Sequence, residues 1–289
     1  MLQLTPKTIR IVDFYEDGTD SRHFTFEPKG FAHREPIAIG QFFMLTVPGV
    51  GLAPFTYTSF PDSQGRFTAL IRKVGKLTDK LFTLKKSDLL GYNGPYGNGW
   101  PVAKIHQKEL LIVAGGCGLA PVSTAIDYLI DAGRADSVTL LYATRDKESQ
   151  VLKQERARWQ SKIRMFETLD TQGNKGHSGL PTQHLSTLLS QCHQKPDMLL
   201  TCGPEAMMKE VAKMCLGLGF ESSDIWLSIE RRMRCGVGLC GHCYIGSSYA
   251  CKQGPSYCYD EFMALENNHN TVVSGVSGVS GYMEHFQYC

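Results

Sequence analysis

The sequence lacks most features that would take it out of ordinary globular chemistry. Charge of one sign is missing: 30 Lys and Arg stand against 28 Asp and Glu, a net charge of +2. That leaves no basic footprint for nucleic acid. Long apolar runs are missing too. The longest uncharged stretch, Leu110 to Ile126, is broken by Gly115, Gly116, Gly118 and Pro121, whereas a membrane span needs about 20 mostly apolar residues. The opening MLQLTPKTIR has no apolar core and no small-residue cleavage site, so no secretory leader is expected and a reducing, cytoplasmic setting is. Hydrophobic residues at 42%, charged residues at 20% and a mean hydropathy of −0.19 exclude disordered, collagen-like and coiled-coil chains. No acid/base dyad stands out. Cysteine is the residue in excess: there are ten, five of them between Cys235 and Cys258. In a reducing compartment such a cluster binds metal or does redox chemistry.

The length of 289 residues suggests about two domains at roughly 150 residues each, and the patterning divides the chain further. Residues 1–101 carry short alternating runs, Thr8–Val12, Arg22–Phe26, Gln41–Val47 and Phe67–Arg72, punctuated by Pro36, Gly40, Pro48-Gly49, Pro61 and Gly65. They predict a small closed antiparallel β architecture. Leu77, Lys80, Leu81 and Leu84 add one short helix. Residues 107–224 alternate buried strands (Leu110–Ala114, Val138–Tyr142, Ile163–Leu169, Met198–Cys202) with amphipathic helices, which predicts a parallel sheet. Residues 225–265 are rich in Cys and Gly and too few to hold a core without a staple such as a metal. Residues 266–289, with Val-Ser-Gly repeated three times, read as a flexible tail. A docking peptide is the other reading of that end.

Cys235-x4-Cys240-x2-Cys243-x7-Cys251 is the most specific pattern in the chain. It matches the C-x4-C-x2-C…C spacing that holds a plant-type [2Fe–2S] cluster. Two irons need four thiolates, and a tight loop must wrap three of them around a small inorganic core. Gly236, Gly238 and Gly241 permit that path and let amide N–H groups turn toward the sulfurs. The alternative is a four-cysteine zinc site, which favours two shorter C-x2–4-C pairs. Cys258 is a further candidate for the fourth position, and His242 reads as a neighbour of the ligands.

Gly115-Gly116-Cys117-Gly118-Leu119-Ala120-Pro121 joins a strand to a helix. Small residues and free amides at a helix start suit a pyrophosphate, although Pro121 stands where a strict G-x-G-x-x-G has its third Gly. Thr201-Cys202-Gly203-Pro204 is a second such junction, and both lie at carboxyl ends of predicted parallel strands, where open α/β sheets bind ligands. Pro54–Ser59 and Gly94–Trp100 have two readings, loops with exposed aromatics suited to a flat cofactor or aromatics packed into the core. Arg72–Thr78 puts cations and a Gly before a helix, which reads as a phosphate seat or as a solvated charge run. Arg145, after the strand Val138–Tyr142, is placed to meet a 2′-phosphate or to be a plain surface Arg.

The order of barrel, βαβ domain and plant-type cluster resembles the ferredoxin–NADP reductase superfamily, in its branch with a C-terminal [2Fe–2S] domain. That branch includes the gamma subunits of sulfhydrogenase-type NiFe hydrogenases, the electron-input subunit of anaerobic sulfite reductase and the electron-transfer subunit of dihydroorotate dehydrogenase. Gly40–Met44, Gly94–Gly99 and Glu230–Gly238 are most similar to the hydrogenase gamma subunit. The resemblance implies a six-stranded antiparallel flavin-binding barrel, a parallel-sheet nucleotide domain and a small cluster domain. It implies that Thr56, Tyr57 and Thr58 hold FAD, with its diphosphate over Gly75, Lys76, Leu77 and Thr78. Gly116, Gly118 and Ala120 would receive NAD(P)H. Cys202, Gly203 and Pro204 would stand near the nicotinamide, Cys202 as the one catalytic side chain, acting by position. Phe55 occupies the Arg place of the superfamily's R-x-Y-[ST], and Arg72 is the substitute cation.

The expectation is therefore an electron-transfer subunit that works between NAD(P)H, FAD and a [2Fe–2S] cluster. Its partner would be the catalytic subunit of a redox complex, such as a hydrogenase or a sulfite reductase. A non-catalytic iron–sulfur sensor and a zinc-stabilised binding module are the alternatives from other classes.

Overall fold

Alternation of apolar and polar residues over the first hundred positions becomes a six-stranded antiparallel sheet in the computed structural model, which describes residues 5–32, 36–170, 177–192 and 194–274. Its strands are β1 (Lys7–Glu16), β2 (Ser21–Pro28), β3 (Phe42–Val47), β4 (Gly51–Thr56), β5 (Phe67–Arg72) and β6 (Leu89–Tyr96), with helix α1 (Lys76–Leu81) between the last two. They are ordered β4-β3-β6-β1-β2-β5. The two edges approach just past β4, where Thr58 N donates to Thr68 O at 2.9 Å. Inside lies an aromatic core of Phe24, Phe26, Phe43, Tyr57, Phe67 and Tyr92, of the kind that contributes both area and edge-to-face geometry. Two of these strands correct the sequence expectation. Pro54–Thr56 and Gly94–Tyr96 are strand, not loop.

After the four-residue helix α2 (Val102–Ile105), the chain alternates. It runs through β7 (Leu110–Gly115), α3 (Ala120–Asp131), β8 (Val138–Thr144), α4 (Lys153–Trp159), β9 (Arg164–Leu169), β10 (His177–Ser178), α5 (Pro181–Ser190), β11 (Met198–Cys202), α6 (Glu205–Gly217) and β12 (Ile225–Ser228). Strands β7, β8 and β11 are buried throughout, as expected of parallel strands covered on both faces. The hairpin β13 (Tyr244–Ile245) and β14 (Ser248–Tyr249), strand β15 (Ser256–Cys258) and helix α7 (Tyr259–Ser274) complete the chain. The second sheet is ordered β10-β9-β8-β7-β11-β12-β15, parallel except for β12 against β15.

Two expected boundaries move. Residues 225–228, assigned from sequence to the cluster segment, are a strand of the nucleotide sheet. The tail expected from residue 266 is helical through Ser274, and the rest of the Val-Ser-Gly repeat lies outside the described residues.

The three segments share one core. Phe42 and Met44 project outward from β3, and they pack with Leu111, Val113 and Leu227 of the second sheet and with Met233, Cys243 and Cys251 of the cluster segment. Polar pins add to this. Trp100 Nε1 donates to Pro121 O at 2.7 Å. The buried Asp17 carboxylate accepts from Leu152 N at 2.7 Å and Lys153 N at 3.1 Å, although burial still raises its pKa. His23 bridges Tyr15 OH and Thr58 Oγ1, at 2.6 Å each. Burial lowers the His23 pKa to about 4, so its imidazole is neutral at pH 7.

Candidate functional site

On the barrel, period-two alternation in β4 decides which side chains are available. Phe55 and Tyr57 turn inward, while Pro54 and Thr56 face out beside Phe42 and Met44 of β3. Tyr57 is 1% exposed and its hydroxyl meets Tyr92 OH at 2.5 Å. The ring expected to stack on a flat cofactor is thus spent in the core. Thr58 is equally buried, its hydroxyl engaged by His23 and Thr68. Of the three expected residues, only Thr56 offers its side chain to the outer face.

The Arg72–Thr78 turn fits a diphosphate better. Arg72 Nε is buried and has no hydrogen-bond partner among the described residues, an arrangement that costs free energy unless an anion completes it. Thr78 Oγ1 accepts from Val74 N at 2.9 Å and Gly75 N at 3.1 Å and donates to Gly75 O at 2.9 Å. Its hydroxyl therefore shapes the turn rather than reaching a ligand. Leu77 packs against the barrel core and Lys76 is exposed.

At the carboxyl end of the parallel sheet, β7 and β11 bring the two glycine junctions together. A Cβ on Gly118 would lie 2.3 Å from Cys202 O, so a bare Cα is what lets the turn rest on β11. Gly203 is packed in the same way, its Cβ position 2.9 Å from Met207 Cε and 3.0 Å from Gly115 N. Gly116 differs. Its φ is +56° and nothing lies within 4 Å of its Cβ position, an open face of backbone at the start of α3 that fits a pyrophosphate. Ala120 is buried at the first position of α3 and Pro204 immediately precedes α6. Cys202 is fully buried with Sγ 4.0 Å from Ser228 O, and burial raises its thiol pKa far above the usual range. It stays protonated, so what it offers is shape rather than thiolate chemistry. Arg145 lies just past β8, largely exposed, with Nε 3.1 Å from Asp146 Oδ2.

The cysteine loop runs between β12 and β15. Gly236, Gly238 and Gly241 have φ of +74°, +75° and +75°, and the path they allow turns amides onto sulfur. Val237 N and Leu239 N donate to Cys235 Sγ at 3.5 and 3.4 Å, and Gly238 N donates to Cys251 Sγ at 3.1 Å. Against the cost of burial, such amides bring the Cys235 thiol down to about 7. Among the described residues no three metal-binding side chains converge on one ion site. All four cysteines are free thiols carried by this one loop, Cys243 and Cys251 buried, Cys235 half-buried and Cys240 exposed. The neighbouring Cys251 thiol lowers the Cys243 pKa, and the same interaction together with burial raises that of Cys251. Four thiols on one loop, two of them accepting from backbone amides, fit an iron–sulfur core. Cys258 lies away on β15, opposite Trp226. His242 is exposed, its Nδ1 3.1 Å from Cys240 O.

Comparison with known proteins accounts for all three regions. Residues 9–100 match the family model of the oxidoreductase FAD-binding domain, and residues 112–213 that of the oxidoreductase NAD-binding domain. Residues 230–263 match the iron–sulfur cluster binding domain of dihydroorotate dehydrogenase B. The sulfhydrogenase 1 gamma subunit of Pyrococcus furiosus is 33% identical over 253 residues, covering 83% of this chain and 86% of that one. The chain belongs to this family. The probable dihydroorotate dehydrogenase B (NAD(+)) electron transfer subunit of Methanocaldococcus jannaschii is 32% identical over 259 residues, with 89% and 91% covered. Among solved structures, one reported for an NADH-dependent reduced ferredoxin–NADP oxidoreductase superposes with a TM-score of 0.71 at 22% identity, covering 95% of this chain and 98% of that one. The fold is that of the ferredoxin–NADP reductases.

As a member of this family, the chain is an oxidoreductase electron-transfer subunit with FAD-binding, NAD-binding and iron–sulfur domains. No helix among its described residues is long and apolar enough to cross a membrane. Several residues at the junction carry no sequence signal of their own. Thr201 Oγ1 and Ser256 Oγ are buried without hydrogen-bond partners among the described residues. Asn98 bonds across to the loop before β15, a role that only the run of glycines on either side of it hints at.

Proposed function

We propose that the chain is the electron-entry subunit of a multi-subunit redox complex, joining NAD(P)H to a partner's catalytic centre through FAD and a [2Fe–2S] cluster. The observation that carries this is the junction itself. The outer face of β3, the ends of the parallel sheet and the cysteine loop close on one another, with Gly236 against Tyr96 and Met44. FAD held there would supply a hydride-accepting centre, and an iron–sulfur cluster a one-electron carrier.

The rest is the work of this chain's residues. Arg72 and the backbone of Gly75–Thr78 would hold the flavin diphosphate, with Thr56 the side chain that β4 would offer to the flavin. Gly116 and Gly118 would admit the dinucleotide phosphates, Arg145 would meet its ribose end, and Cys202, Gly203 and Pro204 would serve the nicotinamide. Cys235, Cys240, Cys243 and Cys251 would hold the cluster, and the amides of Val237, Gly238 and Leu239 steady the cysteine sulfurs. Tight packing excludes water and fixes distance, which is the protein's main contribution to hydride transfer. Likeness to sulfhydrogenase gamma subunits supports a hydrogenase, of the NiFe class, as the partner, with sulfite reductase or dihydroorotate dehydrogenase as the other candidates and the cytoplasm as the proposed setting.

Anaerobic titration of the purified chain with NADH and then NADPH, followed by visible and EPR spectra, tests the reading. Bleaching of a flavin band and a rhombic [2Fe–2S] signal are expected. A coloured protein that responds to neither nucleotide overturns it in favour of a cluster-bearing sensor.

A further inference from the structure

The Gly94–Trp100 segment touches all three parts of the molecule. Gln41 Nε2 donates to Gly97 O at 2.9 Å and Trp100 N donates to Ile39 O at 2.8 Å, which fastens it to the barrel. Trp100 Nε1 reaches Pro121 O at the head of α3. Asn98 makes the third attachment. Its backbone N donates to Gly254 O at 2.7 Å. Its side-chain Nδ2 donates to Gln253 O at 2.8 Å and Ser256 O at 2.7 Å, and its Oδ1 accepts from Ser256 N at 3.3 Å. Four hydrogen bonds therefore join one residue to the stretch that leads from Cys251 into β15.

Close contacts make this attachment stiff. A Cβ on Gly97 would lie 2.8 Å from Pro255 Cδ and 2.9 Å from Phe42 Cε1. One residue before Gly97, Tyr96 pairs with Phe42 across β6 and β3, and a Cβ on Gly236 would lie 2.7 Å from its ring. The phenol ring thus fills the space between the outer barrel face and the cysteine loop.

We infer that Tyr96 and Asn98 are positioning residues that fix the separation between the flavin seat on the barrel and the iron–sulfur loop. This rests on the function proposed above. Tyr96 acts as the spacer and Asn98 as the tie. Transfer of a single electron between two held centres makes and breaks no bond and moves no proton at these residues. Its rate falls steeply with separation, so a loop that drifts slows it without touching hydride transfer.

The test compares the wild-type holoprotein with Asn98→Ala, and with Asn98→Asp, which keeps the acceptor for Ser256 N and loses the two donated bonds. Stopped-flow absorbance reads flavin bleaching by NADH, freeze-quench EPR reads the reduced cluster, and hydrogen exchange reads the Ser256 amide. In Asn98→Ala the exchange rises about tenfold or more, as expected when a buried donor loses its acceptor. Cluster reduction slows by about tenfold while flavin bleaching keeps its rate. In Asn98→Asp the carboxylate faces the Gln253 and Ser256 carbonyl oxygens that the amide donated to, so cluster reduction slows at least as much as in Asn98→Ala. Faster exchange with unchanged cluster reduction would leave Asn98 a purely structural tie and overturn the inference. Loss of iron in both variants would also overturn it, by making the residue part of cluster assembly. Failure of the wild type itself to reduce its cluster with NADH would remove the proposed function, and the inference with it.

Discussion

Gly116 and Gly118 stand two residues apart in one turn, and replacing either by Ala should fail for a different reason. A Cβ on Gly118 would lie 2.3 Å from Cys202 O, 2.5 Å from Cys202 C and 2.7 Å from Gly203 N. All three are backbone atoms at a buried strand end, so no side chain can swing aside. The methyl sits roughly 1 Å inside ordinary van der Waals contact, and the turn must lift from β11 by about that much. Overpacking costs about 1–3 kcal/mol, and a backbone clash belongs at the upper end, ~3 kcal/mol. With 1 kcal/mol worth about 2–4 °C in a chain of this size, Gly118→Ala should melt about 6–12 °C below wild type.

Gly116 has open space around its Cβ position and a φ of +56°. Gly116→Ala meets only the left-handed backbone penalty, ~1 kcal/mol or about 2–4 °C. Its methyl, however, enters the space read as the phosphate seat. Loss of one backbone-to-phosphate hydrogen bond should raise the KM for NADH about tenfold. Circular-dichroism melts and NADH–ferricyanide kinetics separate the two effects. A Gly118→Ala protein that melts with wild type, or a Gly116→Ala protein with unchanged KM, would refute the assignment of that turn.

Cys251→Ser should lose iron and acid-labile sulfide, whereas Cys258→Ser should retain both on elemental analysis; the reverse pattern would make Cys258 the fourth ligand. Arg72→Ala should weaken FAD binding about tenfold or more, the scale of one charge-assisted hydrogen bond, and fluorescence titration of the deflavinated protein would show it; unchanged affinity places the diphosphate elsewhere. His23, neutral when folded with a pKa of about 4, takes up a proton near 6.5 when unfolded. Above pH 6.5 it is neutral in both states and contributes no pH dependence. As the pH falls from 6.5 toward 4, only the unfolded chain gains the proton, and about 3 kcal/mol of stability is lost. Urea melts at pH 7 and 4.5 should show that loss in wild type and a smaller one in His23→Gln, and equal losses would assign the pH dependence to other groups.

The nucleotide sheet and the cysteine loop were the most legible parts, because their signals are local. Continuous apolar runs such as Leu110–Ala114 have no other comfortable place than a covered parallel strand. The Cys spacing also states its geometry directly. Strands β4 and β6 were hidden by their own residues. Pro54 lies on the sheet's edge strand, where a missing N–H is tolerated, and Gly91, Gly94 and Pro95 give β6 the look of a loop. Of the two readings open for Tyr57, surface or core, the core one holds, because its alternation with Phe55 turns it inward. Strand β15 was illegible for another reason. Only its pairing with β12, remote in sequence, makes three residues a strand. The same holds for Asn98, whose partners lie more than 150 residues away.

That pairing has a consequence for how the chain comes to hold iron. Trp226 to Ser228 lie against Ser256 to Cys258, and Ile229 N donates to Pro255 O at 2.8 Å, so everything between them, Cys235, Cys240, Cys243 and Cys251 included, is the tip of one long hairpin. Once the sheet has formed, the ends of that excursion are already side by side. The entropy of closing it, which grows only slowly with its length, is met by strand pairing rather than by metal. Iron then has only the short turns among the thiols left to order. The same topology means that the whole excursion could be exchanged for a tight turn joining β12 to β15 with the strand order untouched, leaving a two-domain flavin reductase as the remainder.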